Sequence, residues 1–465
     1  MCGIVGVLAH APVNQVLYDA LLLLQHRGQQ AAGIASDRHG VFSMHKANGM
    51  VSDVFRTRHM RTLRGHSGIG HCSCAASGPS CDEEAQPFYV NAPFGITLAH
   101  NGSLANGAAL RAELAASGRR HVNTGSDAEV LLNVLAHELH AAGPSHSFDI
   151  GMLFTAVAGL QRRVQGSYAA VAQIAGQGLL AFRDPRGIRP LCMGVRESDT
   201  GSEYMLASES VALEGMGFHF LRDIAAGEAV FIDSRGALHA RQCAQAPALQ
   251  PCAFEYVSLA RPDSILDGAS VYAVRLKLGE HLATAVRREL GTDGIDVVMP
   301  VSDSARPAAI QLALKLNLTY REGFMQNRYL GRAFQMPELK VTRKPACHRL
   351  NAIAAEFRDK RVLLVEDAIV DGNSSADVVR RARAAGAMYV ALASTAPPVL
   401  YPKVYGVDWP AQRKPAALGE DLAAMRGATG ADALVFQQLA ALKEAVASAN
   451  PALRRLETSC FDGME

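Results

Sequence analysis

The stretch Val362–Ser375, VLLVEDAIVDGNSS, decides the fold of the second half of the chain. Its apolar start is typical of a buried strand, and the strand runs directly into two acids, Glu366 and Asp367. A short loop then reaches Gly372 and a run of small polar residues that suits the start of a helix. A strand followed at once by a helix predicts a strand–helix–strand unit, and hence a parallel sheet.

The sequence on both sides of this stretch repeats the same alternation. Apolar runs at Asp296–Val301 and Tyr389–Ser394 predict two further strands, and helices are predicted near Ala308–Leu316 and Ser374–Ala385. We therefore expect a doubly wound parallel α/β sheet in this half of the chain.

The first half of the chain has a different pattern. Short apolar runs at Gly95–Leu98, Tyr168–Ile174 and Gly227–Ile232 predict strands. Helical patterns at Val16–Gln25 and Ser126–His140 interrupt them, and the second begins with a serine that suits a helix N-cap. This half is expected to be a layered domain of sheets and helices.

Size and composition limit the classes of protein. A chain of 465 residues exceeds one compact core. We expect domains over 2–235 and 259–445, joined by a connection at 236–258 and followed by a C-terminal extension at 446–465. With 46 Lys and Arg against 44 Asp and Glu, the net charge of +2 favours neither nucleic acid nor an anionic membrane as partner. The absence of a long apolar run and of a signal-peptide pattern, with nine cysteines, favours a reducing, cytoplasmic location.

The loop after Val362–Val365 has the chemistry of an anion site. Glycine permits close backbone approach, and free N–H groups at a helix start, together with the Ser374 and Ser375 hydroxyls, can hold a phosphate. Glu366 and Asp367 would lie at the carboxyl end of the strand, where they could bind ribose hydroxyls or a hydrated Mg²⁺. The same residues also fit a strand–helix turn with an acidic tip and no ligand.

This loop resembles the phosphoribosyl diphosphate (PRPP) loop of type I phosphoribosyltransferases. The resemblance implies Mg²⁺ as cofactor, held at Ser304, Glu366 and Asp367. It also implies that PRPP is bound by loop and closing-segment residues, namely Asp371, Gly372, Asn373, Ser374, Ser375, Arg328 and Arg332. Asp371 and Asn373 stand where that loop has arginine and threonine, and the added negative charge of Asp371 is expected to weaken phosphate binding.

The chain begins MCGIVG, which places a cysteine directly after the initiator. Removal of Met1 would give Cys2 both a thiol and a free α-amino group. Because an α-amino group has a pKa of about 8, it can act as a general base beside a thiol that needs little activation. Taken alone, such a cysteine is more often incidental.

Three further runs accompany it: LQHRGQQAAG at Leu24–Gly33, FGITLAHNGSLAN at Phe94–Asn106 and NTGSDAEVL at Asn123–Leu131. Together they resemble the class II glutamine amidotransferases, whose domain is an N-terminal-nucleophile αββα sandwich. The resemblance implies Cys2 as nucleophile, Asn101 and Gly102 as the oxyanion hole, Asp127 as partner of the glutamine α-amino group, and Arg27 near the nucleophile.

A glutaminase joined to a PRPP loop resembles the amidophosphoribosyltransferase family, and further signature runs such as FRDPRGIRPL at Phe182–Leu191 extend the likeness over nearly the whole chain. The resemblance implies that glutamine-derived ammonia displaces pyrophosphate from PRPP to give 5-phosphoribosylamine, the first committed step of purine synthesis. It also implies glutamine and PRPP as substrates, purine nucleotides as inhibitors and a homotetramer, with no nucleic acid and no membrane as partner.

The stretch GHCSCAASGPSC, Gly70–Cys81, departs from that family. Ser73 occupies the position of the arginine that binds the glutamine α-carboxylate, and serine offers one neutral donor in place of a bidentate guanidinium. Cys72, Cys74 and Cys81 lack the spacing of a zinc site, and a disulfide would need an oxidising compartment. We interpret the three cysteines as drift in a segment no longer held to glutamine binding.

Three functions remain open from sequence. The first is an active amidophosphoribosyltransferase whose carboxylate contact is made elsewhere. The second is a diverged paralogue with an impaired glutaminase that uses ammonia or another amide donor. The third is a non-catalytic subunit that regulates an intact enzyme. Retention of Cys2, Asn101, Gly102 and Asp127 argues against complete loss of the first site, whereas Asp371 and Asn373 keep the third function open.

Overall fold

The structure is a computed structural model that describes residues 2–73, 82–116, 118–143, 147–326, 350–370, 372–401 and 422–464, with only the backbone described at 422–424. These residues form two compact units. The first runs to Cys252 and includes Ile265–Asp267, and the second comprises Ala253–Ser264 and the described residues from Gly268 onward. Among the helices in these ranges, none has the length and apolar character needed to cross a membrane.

The first unit contains two antiparallel sheets. Its strands are β1 (Cys2–Leu8), β2 (Ala31–Arg38), β3 (Val41–Asn48), β4 (Ser67–Ser73), β5 (Phe88–Val90), β6 (Ile96–Leu104), β7 (Gly166–Ile174), β8 (Gly178–Arg183), β9 (Cys192–Ser198), β10 (Gly201–Ala207), β11 (His219–Asp223), β12 (Glu228–Asp233) and β13 (Leu238–Gln242). Strand order is β11-β9-β10-β1-β4-β2-β3 in one sheet and β13-β12-β8-β7-β6-β5 in the other.

Helices cover the outer face of each sheet. They are α1 (Asn14–Leu23), α2 (Val51–Val54), α3 (Thr57–Thr62), α4 (Gly107–Ala116), α5 (Asp127–Ala141), α6 (Ile150–Arg163) and α7 (Ser210–Gly215), with 3₁₀ turns at Gln25–Arg27 and Asp82–Glu84. One apolar core packs α1 and α7 on the first sheet, a second packs α5 and α6 on the other, and a third fills the space between the sheets. The predicted αββα sandwich is therefore confirmed.

The stretch expected to connect the domains contributes to this unit. Strand β13 lies within it and pairs antiparallel with β12, with Leu238 opposite Ile232. Further along, the Cys252 N–H donates to the Ile188 carbonyl at 3.1 Å. Residues up to Cys252 thus belong to the first unit, with β13 as the edge strand of the second sheet.

The second unit contains a parallel sheet and its helices. Its elements, after a π-helical turn at Glu255–Leu259, are β15 (Ala269–Ser270), α8 (Val271–Glu289), β16 (Val297–Pro300), α9 (Arg306–Leu316), β17 (Thr319–Tyr320), β18 (Phe324–Gln326), β19 (Leu350–Ala352), α10 (Ala354–Phe357), β20 (Arg361–Glu366), α11 (Asn373–Ala384), β21 (Tyr389–Ser394), α12 (Leu422–Thr429), β22 (Ala433–Phe436), α13 (Leu439–Ala449) and α14 (Ser459–Asp462). Strand β14 (Ile265–Leu266) belongs to the first unit.

The order of the parallel sheet, β17-β16-β20-β21-β22, places a topological switch point between β16 and β20. Chain connections run outward to one side from β16 and to the other from β20, so a crevice opens beyond the carboxyl ends of these two strands. Apolar cores lie on both faces of the sheet, one against α8 and α9 and the other against α11. The predicted doubly wound fold is confirmed, and its acidic loop lies at the switch point.

A buried arginine ties the short segment Ile265–Asp267 into the first unit. The Arg183 guanidinium donates to both carboxylate oxygens of Asp267, at 2.7 and 3.2 Å, and to the carbonyls of Ile224 and Gly187, at 2.6 and 2.5 Å. Its side chain is fully buried. Removing one member of such a pair leaves an uncompensated buried charge.

We expect Arg183→Leu to lower the free energy of unfolding by about 3–5 kcal/mol, because Asp267 and two carbonyls lose their donor. Urea denaturation followed by circular dichroism measures the change. The control is Arg235→Leu, since the Arg235 side chain is 87% exposed and its loss should change stability by less than about 0.5 kcal/mol. Equal effects of the two variants would contradict a structural role for Arg183.

Candidate active sites

The first candidate site is built around Cys2, the first residue of β1. This strand lies between β10 and β4, and Cys2 pairs directly opposite Ser73. The backbone nitrogen of Cys2 donates to the Asn101 side-chain oxygen Oδ1 at 3.1 Å. Asn101 is fully buried on β6, and its Nδ2 has no hydrogen-bond partner among the residues that the structure describes. The site therefore holds a spare amide donor beside the cysteine.

Gly102 follows Asn101, and no residue with a side chain fits its position. Its φ of +147° lies in a region that favours glycine, and a Cβ there would come within 1.9 Å of the Ser167 carbonyl oxygen on β7. The close approach of β6 to β7 thus requires glycine next to the buried asparagine. Of the predicted pair, Asn101 contacts the cysteine, and Gly102 is the next residue along the same strand.

Arg27 reaches the backbone of Cys2. Its Nε donates to the Cys2 carbonyl at 3.0 Å, and its Nη1 donates to Glu209 at 2.5 Å, with both charged side chains fully buried. His26 contacts the same carboxylate oxygen at 2.7 Å. Glu209 was not predicted from the sequence. Its signal in the sequence is an acid two residues after an apolar strand end, in the run Ala207–Leu213.

Asp127 is the first residue of α5, and Ser126 before it accepts from the Ala128 N–H at 3.3 Å as the predicted N-cap. The Asp127 carboxylate accepts from the Leu104 N–H at 2.8 Å. An acid in the first turn of a helix is also stabilised by the helix dipole. Asp127 therefore fixes the end of β6, the strand that carries Asn101 and Gly102.

Cys72 packs away from this chemistry. It is fully buried, belongs to the core under α1, and its thiol donates to the Leu24 carbonyl at 3.4 Å. Burial, with a smaller contribution from Cys2, raises the pKa of the Cys72 thiol to about 12. A thiol held neutral is a poor metal ligand and nucleophile. Cys74 and Cys81 lie outside the described residues.

The second candidate site lies at the switch point of the parallel sheet. Glu366 is the last residue of β20, and its Oε2 accepts from the Ser375 hydroxyl at 2.8 Å. Asp367 follows it, and its Oδ2 accepts from the hydroxyls of Ser304 at 2.7 Å and Ser258 at 2.5 Å. The structure thus brings Ser304 to Asp367, two of the three residues predicted to hold metal, and adds Ser258, whereas the carboxylate of the third, Glu366, contacts Ser375.

The predicted phosphate loop leads into α11. Gly372 is the N-cap residue with φ +67°, and its carbonyl accepts from the Ala376 N–H at 2.9 Å. Asn373 and Ser374 are exposed at the start of the helix, whereas Ser375 is 2% exposed and turned toward Glu366. Asp371, Arg328 and Arg332 lie outside the described residues.

The donor set at the switch point is made of oxygen atoms. Within the described part of the chain, no group of three or more His, Cys, Asp or Glu side chains is arranged to hold a metal ion. Two adjacent carboxylates with a nearby hydroxyl fit Mg²⁺, which keeps several waters and is bound through one or two carboxylates plus substrate phosphates. They do not fit a metal that needs sulfur or nitrogen ligands.

Ser258 was not predicted from the sequence. It lies in the run FEYVSLARPDS, 109 positions before Asp367, within the π-helical turn. Such turns are frequent at functional sites, but no local pattern distinguishes this serine from any other. Only the folded second unit places its hydroxyl on the carboxylate.

Comparison with known proteins agrees with this geometry. The family described as "Glutamine amidotransferase domain" matches residues 74–215. The amidophosphoribosyltransferase of Escherichia coli is 50% identical over 466 residues, covering 100% of this chain and 92% of the relative. That of Schizosaccharomyces pombe is 44% identical, covering 100% of this chain and 90% of the relative.

Among solved structures, the glutamine PRPP amidotransferase of B. subtilis, complexed with ADP and GMP, superposes with a TM-score of 0.86 at 30% identity, covering 100% of this chain and 97% of the other. A structure described as the allosteric regulatory enzyme of purine biosynthesis gives a TM-score of 0.87 at 30% identity, with coverages of 100% and 96%.

The chain belongs to the amidophosphoribosyltransferase family. The predicted enzyme class, a glutamine-dependent transferase of purine biosynthesis, is confirmed. Nothing in the comparisons supports the alternative of a diverged paralogue with an impaired glutaminase.

The buried His71 is expected to make the stability of the first unit depend on pH. It lies on β4 opposite Ile4 and is 1% exposed, and burial, followed by repulsion from His100, lowers its pKa to about 3. The unfolded chain binds a proton at this residue near pH 6.5, whereas the folded chain does not until about pH 3. Protonation therefore favours the unfolded state as the pH falls from 6.5 toward 3.

We expect His71 alone to remove about 2 kcal/mol of stability between pH 6.5 and pH 5. His71→Gln should therefore lose less stability over this interval than the wild type, whatever its stability at neutral pH. Denaturant midpoints at the two pH values give the comparison, with the exposed His66→Gln as the matched control. Wild-type and His71→Gln curves with the same pH slope would show that His71 is not the titrating group.

Proposed function

We propose that the chain makes 5-phosphoribosylamine from PRPP and ammonia released from glutamine. Glutamine hydrolysis is assigned to the first domain, over 2–235, and PRPP chemistry to the second, over 259–445. The observation that carries the proposal is the hydrogen bond from the Cys2 nitrogen to Asn101 Oδ1 at 3.1 Å, with Asn101 Nδ2 buried and unpaired within the described residues.

In the glutaminase step, removal of Met1 turns the Cys2 nitrogen into an α-amino group, which Asn101 Oδ1 already holds. The thiol of Cys2 attacks the amide carbon of glutamine, and the α-amino group takes the thiol proton and passes it to the leaving ammonia. Asn101 Nδ2 and the Gly102 N–H donate to the oxyanion of the tetrahedral intermediate. Water then cleaves the thioester to glutamate and restores the thiol.

Substrate binding in this site is assigned to three side chains. Asp127 pairs with the α-amino group of glutamine, while Arg27 acts through the Cys2 carbonyl to which it donates. Ser73 lies opposite Cys2 and offers one hydroxyl to the α-carboxylate. Because a neutral donor binds a carboxylate more weakly than a guanidinium does, we expect a high KM for glutamine.

In the transferase step, Glu366 and Asp367 at the end of β20 bind the ribose hydroxyls of PRPP, and with Ser304 they would hold a hydrated Mg²⁺. Gly372, Asn373 and Ser374 hold the 5-phosphate at the start of α11. The remaining predicted PRPP residues, assigned here by resemblance alone, are Asp371, Ser375, Arg328 and Arg332. When bound, Mg²⁺ neutralises the pyrophosphate. Ammonia forms the new bond to the anomeric carbon as the bond to pyrophosphate breaks, and the excess proton goes to solvent.

We also propose purine nucleotides as inhibitors, a homotetramer as the assembly and the cytoplasm as the location. Support for nucleotide binding comes from the B. subtilis relative, which is complexed with ADP and GMP. The tetramer and the location rest on the family resemblance.

The first prediction separates the two steps by nitrogen donor. Wild-type protein is expected to release pyrophosphate from PRPP and Mg²⁺ with either glutamine or ammonium. Cys2→Ala is expected to lose the glutamine-dependent reaction by at least about a thousandfold and to keep the ammonium-dependent one, because it loses the nucleophile but not the second site. Mass spectrometry of the same samples shows whether Met1 is removed. A Cys2→Ala variant that still uses glutamine would refute the assigned nucleophile.

A second prediction concerns the residue opposite Cys2. Ser73→Arg is expected to lower the KM for glutamine about tenfold or more, since it restores a charge-assisted pair with the α-carboxylate. Ser73→Lys is the matched control, because it adds the charge without the bidentate geometry and should give a smaller gain. An unchanged KM for glutamine in Ser73→Arg would mean that the carboxylate is bound by other residues.

A further inference from the structure

Asp367 is held by three donors. Two hydroxyls, from Ser258 at 2.5 Å and Ser304 at 2.7 Å, meet on Oδ2, and the Ala368 N–H donates to Oδ1 at 2.9 Å. A side chain with donors on both carboxylate oxygens has little rotational freedom. Its orientation is therefore set by the protein itself, before any ligand binds.

The turn that carries Ser258 is held by a buried arginine. Arg275 of α8 is 1% exposed, and it donates from Nε to the Tyr256 carbonyl at 2.9 Å and from Nη2 to the Ala260 carbonyl at 2.7 Å. These two carbonyls lie on either side of Ser258 in the chain. The π-helical turn Glu255–Leu259 is thus fixed at both ends around the residue that reaches Asp367.

The turn that carries Ser304 has an independent anchor. Arg306 forms an ion pair with Asp303 at 2.7 Å and donates from two nitrogens to the Glu322 carboxylate, at 3.0 and 3.3 Å. The Tyr320 hydroxyl also donates to Glu322, at 2.5 Å. Because Tyr320 ends β17, the edge strand of the sheet, these contacts fasten the turn after β16 to its neighbour.

We propose that Ser258 and Ser304 are positioning residues of the transferase site, which act by fixing the Asp367 carboxylate for the ribose hydroxyls of PRPP and the water shell of its Mg²⁺. This inference rests on the proposed function. It assigns a role to Ser258, and it gives Ser304 a role through Asp367 beside the metal ligation that the family resemblance implies. Because a fixed carboxylate loses less conformational entropy when the ligand binds, the benefit should appear in affinity.

The principal test measures binding of PRPP with Mg²⁺ by calorimetry in the absence of a nitrogen donor. Ser258→Ala is expected to weaken binding about tenfold, and Ser258→Thr, which keeps the hydroxyl, to bind within about threefold of wild type. In the ammonium-driven reaction the same variant should raise the KM for PRPP and leave kcat nearly unchanged. The matched control is Ser448→Ala, which removes an exposed hydroxyl of the same unit that donates to the Ala445 carbonyl.

A double-mutant cycle separates this role from metal ligation. If both hydroxyls act on one oxygen, the losses in Ser258→Ala, Ser304→Ala and the double variant will not multiply. Losses that multiply would show that Ser304 acts independently, as a metal ligand would, and would overturn the shared role. Ser304→Ala also keeps the test decisive should Ser258→Ala fail to fold.

The outcomes distinguish this inference from the function on which it rests. Wild type that binds PRPP with Mg²⁺ while Ser258→Ala binds equally well would overturn the positioning role alone. Wild type that fails to bind PRPP under any Mg²⁺ concentration would overturn the proposed transferase activity, and this inference with it. A lower melting temperature in Ser258→Ala without loss of affinity would reduce the serine to a structural contact and would also overturn the proposal.

Discussion

The hydrogen bond between the Cys2 nitrogen and Asn101 joins the two sheets of the first unit, because β1 belongs to one sheet and β6 to the other. It exists only when the sheets stack in one register, so the candidate nucleophile and its amide donor are assembled by the interior core between them. Two further contacts fix β6: Gly102 lies close against β7, and Asp127 of α5 accepts a hydrogen bond from the end of the strand. The chemistry of this site is thus a consequence of sheet packing.

Hydrophobic periodicity predicted the layers of both units, because a strand or helix that buries one face has apolar residues at regular local spacing. Strand β6 shows where that reasoning fails. The apolar run predicted a strand at Gly95–Leu98, yet the strand continues to Leu104 through His100–Ser103, a polar stretch typical of a loop. Full pairing with β7 and burial between layers override the local preference, and the part of β6 that was missed is the part that forms the site.

The candidate site residues also fall into two groups, those predicted from local sequence and those that only the fold reveals. Cys2, Asn101, Asp127, Glu366 and Asp367 were predicted as site residues because they lie in motifs read along the chain. Residues that act through another residue, such as Ser258, were not, since their partners are distant in sequence. Ser375 is the intermediate case, because its position in the loop was predicted but its burial against Glu366 depends on how α11 packs.

Both sites rely on buried guanidinium groups that donate to backbone carbonyls. Arg27 holds the carbonyl of Cys2, and Arg275 holds the carbonyls of Tyr256 and Ala260 around Ser258. A carbonyl in irregular backbone has no strand or helix partner, and leaving it buried and unpaired costs about 1–3 kcal/mol. Because the guanidinium is planar and carries several donors, it can satisfy such carbonyls and fix the backbone geometry at the same time. The start of β1 at Cys2 and the π-helical turn that carries Ser258 are therefore each held in place by a buried arginine.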